Sequence, residues 1–236
     1  MDKIRRHALK SDRFVETVGH EIEYVKAHRQ EVMRWLTAGA VVIVLVGGFF
    51  LIRSRNHATR QMDLAKALRL KDAVIGVSPT PGDPRQFFLT QPEKDKAIRQ
   101  ALEDIAKNHS GSDEGAVANY QLGTIDSDAG SLAEAEKHFQ AAVDSGSKLY
   151  ASVAKLSLSQ VYAAQGKNSE AEKMLKELQD NPTVMVSKEQ ATMALARLIM
   201  LTRPADARKM IEPFLTDQRQ AVARSAQGLV AEIPNK

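Results

Sequence analysis

Three stretches of this chain repeat one another at a shift of 36 residues, and that repeat limits the fold more than any other feature of the sequence. Ala135, Ala171 and Ala207 fall in one column; four residues on come Phe139, Leu175 and Ile211, and three further on Ala142, Leu178 and Phe214. Lys137, Lys173 and Lys209 form another column, and Glu134, Glu170 and Asp206 a third. Upstream, Leu122, Leu158 and Ala194 align, then Gly123, Ser159 and Leu195, then Gly130, Gly166 and Thr202. Each unit reads as a helix, a short polar turn and a second helix, with Gly at the turn free to take positive φ. The small residue at 123 and 159 lets the two helices approach closely, and the Ala column does the same from the second helix. The large residue at 139, 175 and 211 then fills the space toward the next unit. A single helical hairpin cannot bury its apolar face, so the units must stack. The expected fold class is all-α: a solenoid of about three to four hairpins, with units near 116–147, 152–183 and 188–216.

A second feature sits upstream. Trp35 to Ile52 reads WLTAGAVVIVLVGGFFLI, 18 residues without a charge. As a helix it would be ~27 Å long, close to the thickness of a bilayer's hydrocarbon core. Arg34 and Trp35 flank it on one side, Arg53 and Arg55 on the other, as interface residues of a membrane span would. A buried soluble helix rarely keeps such a run between charged fences. A cleaved signal peptide would start earlier and end on small residues, not on Ile-Arg-Ser-Arg. The expectation is one N-terminal transmembrane helix over 35–52. Gly39, Gly47 and Gly48 form no Gly-x-x-x-Gly pair, so self-association through the span has little support. Charge counting leaves the orientation open. The 20 residues before the span hold three basic groups and the 20 after it six, yet the tail as a whole holds eight. Moving that tail across a membrane is the harder step, which favours a cytoplasmic N-terminus.

The remaining segments follow from these two. Residues 1–34 form a tail in which Phe14, Val18, Ile22, Val25 and Val32 share one helical face. The tail would lie on the bilayer, extend the span or dock on a membrane partner. His20 and His28 are about 12 Å apart on such a helix, too far to share an ion. Residues 53–77 read as a connecting helix. Residues 78–92 hold four of the eight prolines and read as a loop. Phe87, Phe88 and Leu89 are its apolar cluster, either pinning the loop to the first helices or offering a contact patch. A helix opening at Pro92 and running to about Asn108 should pair with the connecting helix as a degenerate first unit. The repeats occupy 93–216, and 217–236 reads as a capping helix.

Composition argues against several functions. The chain carries 33 Lys plus Arg, 29 Asp plus Glu and no Cys. The basic excess is spread evenly, with none of the concentrated stripe that nucleic-acid binding needs. Disulfides, thiolate catalysis and Cys-ligated zinc are excluded. No phosphate loop, metal-ligand cluster or nucleophile elbow stands in the sequence. We therefore expect no enzyme activity, no cofactor, no metal and no small-molecule substrate. His138 is expected on the solvated face of its helix. The first helix of such units usually lines the groove, which makes Asn119, Asp126, Lys155 and Tyr162 the candidate partner-binding residues. Tyr162 has an alternative reading as core.

The columns carry a resemblance. Leu122-Gly123, Gly130, Ala135, Phe139 and Ala142 in the first unit, and Leu158-Ser159, Tyr162, Gly166, Ala171 and Leu175 in the second, resemble tetratricopeptide repeats. The departures are Leu195 at a small position, Thr202 at the turn, Asp126 where a large apolar residue is usual, and a period of 36 where 34 is typical. The layout of tail, span, helix and divergent repeats further resembles the YfgM-like ancillary subunits of the bacterial Sec translocon. Lys-Asp-Ala-Val at 71–74, Leu102–Asn108, Ala116–Leu122 and Ala-Glu-Lys-His-Phe at 135–139 carry that resemblance. It implies an inner-membrane protein with its repeat domain in the periplasm, associating with the translocon and periplasmic chaperones. Two functions are open at this point: a membrane-anchored scaffold that binds protein partners, or a structural subunit of an inner-membrane complex with no client.

Overall fold

The computed structural model describes residues 29–76, 85–147 and 149–234. Two compact units divide it, residues 1–58 and 59–236. The described part of the first unit lies in helix α1, which runs over Arg29–Arg69 for 41 residues. No proline interrupts that stretch, so the helix has no cause to break between the uncharged run and the segment after it. Helix α1 takes in the residues expected as a span at 35–52 and most of those expected as a connecting helix at 53–77, and it ends at Arg69. Trp35 and the run Val41–Leu45 are exposed on it, Ile43 at 73%. Among the described residues no helix is long and apolar enough to cross a membrane. The side chains of residues 48–56, including Arg53 and Arg55, lie outside the description, as does the tail over 1–28 with its expected amphipathic face.

In the second unit, α1 gives way to a 3-10 turn, Leu70–Asp72, and then to a two-residue strand β1, Val74–Ile75. β1 pairs in parallel with β2, Phe87–Phe88, in the register Val74↔Phe87 and Ile75↔Phe88. This is a departure from an all-α chain. The Pro-rich segment cannot continue as helix, and its end instead satisfies backbone groups across the pairing, Val74 N–H to the Gln86 carbonyl at 2.8 Å. The Lys94 ammonium donates to the carbonyls of Lys71 and Ala73 at 2.6 and 2.8 Å, closing the turn. Residues 78–84 of the expected loop, and residue 77 at the end of the expected connecting helix, lie outside the description.

Seven helices follow among the described residues: α2 (Gln91–Asn108), α3 (Asp113–Asp128), α4 (Leu132–Asp144), α5 (Tyr150–Ala164), α6 (Asn168–Asp180), α7 (Lys188–Ile199) and α8 (Pro204–Ile211). A 3-10 turn over Glu212–Phe214 leads to the last helix, α9, Gln220–Glu232. The expected boundaries shift by a few residues: the repeats open at Gln91 and the cap is shorter at both ends. Starts follow the local chemistry. Thr90, Ser112 and Ser187 each accept, through the side-chain oxygen, a backbone N–H of the first turn that no helical carbonyl can reach. At the hairpin turns Gly130 and Gly166 take φ of +72° and +76°, the left-handed conformation that closes α3 and α5.

Each hairpin packs on the next, and the core is a chain of clusters. Ala67, Ile98, Leu102, Ala118 and Leu122 form the first, so the end of α1 and α2 do act as a degenerate first pair. Ala135, Phe139, Leu158 and Val161 form the second. Leu175, Leu178, Leu195, Ile199, Ala207, Ile211 and, from α9, Ala226 and Leu229 belong to the third. The repeat columns are the buried seam: Ala135, Ala171 and Ala207 are all fully buried. A Cβ added at Gly123 would stand 2.8 Å from the Phe139 ring, which shows why that column begins with glycine. Full burial of the large residues in the columns supplies most of the driving force, at about 1.5–3 kcal/mol for each large apolar side chain.

Candidate interaction groove

The units are held in register by ion pairs that repeat with the fold. Lys167, in the turn of the second hairpin, reaches back 2.7 Å to Glu136 on α4. Arg203, one unit later, reaches back 2.5 Å to Glu172 on α6. Each pair joins positions 36 residues from its counterpart, although neither column was apparent from apolar spacing. The Lys167 hydrogen bond holds the Glu136 carboxyl below its usual range, and the same bond raises Lys167. Glu172 is lowered by Lys176 first and by Arg203 next.

The four residues expected to line a groove fall into three places. Asn119 and Asp126, on α3, come together around His138 of α4. Asn119 Nδ2 donates to its own helix at the Gly115 carbonyl, 3.1 Å away, and its Oδ1 stands 3.3 Å from His138 Nδ1. His138 Nε2 is 3.6 Å from Asp126 Oδ2. Asp126 is buried, and its other oxygen accepts a 2.6 Å bond from Arg99 of α2. His138 is therefore half-buried at a helix crossing, a correction to its expected solvated position. Asp126 fills a usually apolar position because Arg99 reaches in to pair it. Lys155, on α5, pairs with Glu177 of α6. Tyr162 packs with Phe139 and Leu158 in the second cluster, with the Lys167 ammonium 5.2 Å from its ring. Burial raises its phenol above the usual range. Of the loop candidates, Phe87 and Phe88 are half-buried in the strand pairing, while Leu89 is exposed. Arg34 and Trp35 are exposed on α1.

A concave cavity of about 430 Å³ opens elsewhere, where α5, α7 and α9 line up side by side. Leu156 and Gln160 come from α5, Gln190, Met193, Ala194 and Arg197 from α7, and Ser225, Gly228, Leu229 and Glu232 from α9. These three are the first helices of successive units, with α9 standing where a fourth unit would begin. Its floor is apolar and its rim polar. Arg197 and Glu232 face each other at 3.6 Å across the α7–α9 gap. One turn back from that pair stand Met193 on α7 and Gly228 on α9, and a Cβ at Gly228 would meet no atom within 4 Å. A larger cavity of about 750 Å³ lies beside the α6–α7 loop, at Val184 and Met185, but it is bounded mostly by that one loop. The cavity shares helix α5 with the groove candidates Lys155 and Tyr162, and takes in Leu156 and Gln160 from it.

Among the described residues no group of three His, Asp or Glu side chains could hold a metal ion. What the arrangement offers is a stack of helical hairpins with an open concave face, the build of a binding module. The tetratricopeptide repeat-like domain family matches residues 35–201, and the chain belongs to that family. No curated protein and no solved structure matches the chain.

Proposed function

We propose that this protein is a non-enzymatic scaffold, anchored in a bacterial inner membrane by residues 35–52, whose repeat domain binds protein partners on the periplasmic side. The observation that carries the binding role is the concave cavity on α5, α7 and α9 in a tetratricopeptide repeat-like domain. Stacked hairpins of this type present such a face to a peptide or helix. Support for the anchor is the 18-residue uncharged run, helical throughout and with Val41–Leu45 exposed. Exposed apolar side chains in that number belong against lipid or protein. Tethering concentrates the domain at the membrane, which favours partners located there. The resemblance to the YfgM-like subunits names the translocon and periplasmic chaperones as the partners to test first.

The test is photocrosslinking in cells with the full chain. A crosslinker at Gln160 in the groove is compared with one at Lys173, exposed on α6. Partners captured from Gln160 and not from Lys173 support the scaffold; equal capture, or none from Gln160, opposes it. Protease added to spheroplasts should degrade the domain after residue 53 and spare the tail. A domain protected until the membrane is opened would reverse the orientation.

A further inference from the structure

We propose that His138 is a proton-operated latch: on acidification its ring takes up a second proton and bridges Asn119 and Asp126, fastening α4 to α3. The latch lies apart from the cavity of α5, α7 and α9 and does not rest on the reading of that cavity as a binding face.

The fold fixes both acceptors. Asn119 Nδ2 donates to the Gly115 carbonyl at 3.1 Å, which turns its Oδ1 toward His138 Nδ1, 3.3 Å away. Asp126 Oδ1 accepts from Arg99 at 2.6 Å, which leaves Oδ2 facing His138 Nε2 at 3.6 Å. That Oδ2 is buried and has no hydrogen-bond partner among the described residues. A buried carboxylate oxygen without a donor costs stability. A neutral imidazole has one N–H and one lone pair. With the N–H on Nδ1 it serves Asn119 and aims its lone pair at the carboxylate. With the N–H on Nε2 it serves Asp126 and aims its lone pair at the Asn119 oxygen. Only the charged ring, with a donor at each nitrogen, satisfies both. A small tilt then brings Nε2 from 3.6 Å to the ~2.9 Å of an ordinary bond.

The neighbouring charges are accounted for on each element that packs here. From α2 come Arg99, on the other oxygen of Asp126, and Glu103, 3.9 Å from Arg99. Arg99 opposes a second cation, and Glu103 offsets part of that opposition. On α4 itself Glu134 stands one turn before His138 and favours a charged ring, although it shares its charge with Lys137 at 2.7 Å. α5 contributes Lys155, which pairs with Glu177, and the turn after it Lys167, which pairs with Glu136. Neither lysine faces the ring. The bond to the orphaned oxygen, together with the one to Asn119, exists only while the ring is charged. It therefore supports the fold near pH 5.5 and is lost toward pH 8, the interval over which histidine changes its charge. His109, 3.2 Å from Asp63, and the other histidines belong to the same chemical class, so the readout is a difference between variants in which they cancel.

The test is thermal unfolding of the full-length protein in lipid nanodiscs at pH 5.5 and pH 8, for wild type, His138→Gln, Asp126→Asn and the double variant. The gap in melting temperature between wild type and His138→Gln should widen by at least ~2 °C on going from pH 8 to pH 5.5. In the Asp126→Asn background the same gap should hold steady with pH, because an amide at 126 can accept from the charged ring or donate to the neutral one. If His138→Gln fails to fold, Asn119→Leu takes its place. It removes the other acceptor, leaves the neutral ring free to serve Asp126, and should reduce the gain in melting temperature that wild type shows on acidification. A wild-type gap that is constant with pH, or wider at pH 8, overturns the latch. So does a pH-dependent gap that survives in the Asp126→Asn background, which would place the partner of the proton elsewhere. Asn119→Leu with the full acid gain of wild type overturns the bridge in the same way.

Discussion

The first and third full hairpins solve the same packing problem with opposite residues. In the first, Gly123 on α3 leaves space that the Phe139 ring of α4 fills. In the third, Leu195 stands in the small column and is 2% exposed, and the partner column is reduced to Ile211, fully buried. The second hairpin lies between, with Ser159 and Leu175, both buried. A closely packed interior fixes the summed volume at a crossing more tightly than it fixes either side chain. That is why the third unit looks divergent in sequence and ordinary in structure. Polar chemistry differs in the same comparison. The column Asp126, Tyr162, Leu198 runs from a buried carboxylate to a half-buried phenol to an aliphatic side chain.

The largest effect that would sharpen this comparison is at Leu195. Leu195→Ala should cost about 2–5 kcal/mol, because the buried side chain leaves a cavity that Ile211 cannot fill. Urea unfolding of the full-length protein measures it. A loss under ~1 kcal/mol would mean that the third hairpin collapses freely and that volume at this crossing is not fixed.

The first hairpin should fail in the opposite direction. Gly123→Ala gains helix propensity but drives its methyl against the Phe139 ring, and overpacking of this kind costs about 1–3 kcal/mol. The compensating change is already present one unit on. Gly123→Ser with Phe139→Leu imports the second hairpin's pair and should recover most of the loss. If the double variant is as unstable as the sum of its parts, the two columns do not trade volume.

Asp126 tests the polar side of the comparison. Arg99→Ala leaves a buried carboxylate with one nearby imidazole and no cation of its own, and should cost about 1–3 kcal/mol. Asp126→Leu, which copies Leu198 from the third hairpin, removes the charge as well and should cost clearly less, or stabilise. The order of the two variants in thermal unfolding is the readout. A more damaging Asp126→Leu would mean that the pair holds α2 against α3 in a way an apolar contact cannot.

Much of the scaffold was legible because stacking turns spacing into burial. Ala171, Leu175 and Leu178 are buried and Lys173 is exposed, as the period of a helix requires. The turns were legible from Gly130 and Gly166, and the cap from its polar face. Other features were not. The strand pairing of Val74–Ile75 with Phe87–Phe88 joins residues across a segment with no periodic signal. The ion pairs Glu136–Lys167 and Glu172–Arg203 join residues on different units, and a charge column looks like any solvated face until the units are stacked. The cavity lies where α5, α7 and α9 meet, and Gln160, Arg197 and Glu232 on its lining share no local pattern. Asn119 and Asp126 were found as a pair of polar positions on α3, but not as one cluster with His138 and Arg99, because those partners come from α4 and α2.

The smallest effect concerns how the third hairpin is closed. The first hairpin is covered by α2 through apolar contacts and the Arg99–Asp126 pair, which reaches a buried carboxylate; the third uses an ionic clamp at the surface, at the start of α9. Arg219 donates to Glu189 on α7 and to Asp217 in the preceding turn, both at 2.8 Å. Its hydrogen bonds hold both carboxyls down to about 2, from ordinary values of 4.5 and 3.8. A depressed carboxyl favours the folded state when ionised. The clamp therefore contributes fully above about pH 4.5 and is lost as the pH falls toward 2. Its members are exposed enough for salt to screen them, so the contribution is small and shrinks at high ionic strength. Arg219→Gln should lower the urea midpoint slightly at pH 6 in low salt, and the gap from wild type should shrink to a minor fraction at pH 2.5. The same gap should narrow at pH 6 in 1 M salt, where the Debye length falls to about 3 Å. A gap that persists unchanged at pH 2.5 would mean that Arg219 supports α9 through packing of its stem and not through its charge.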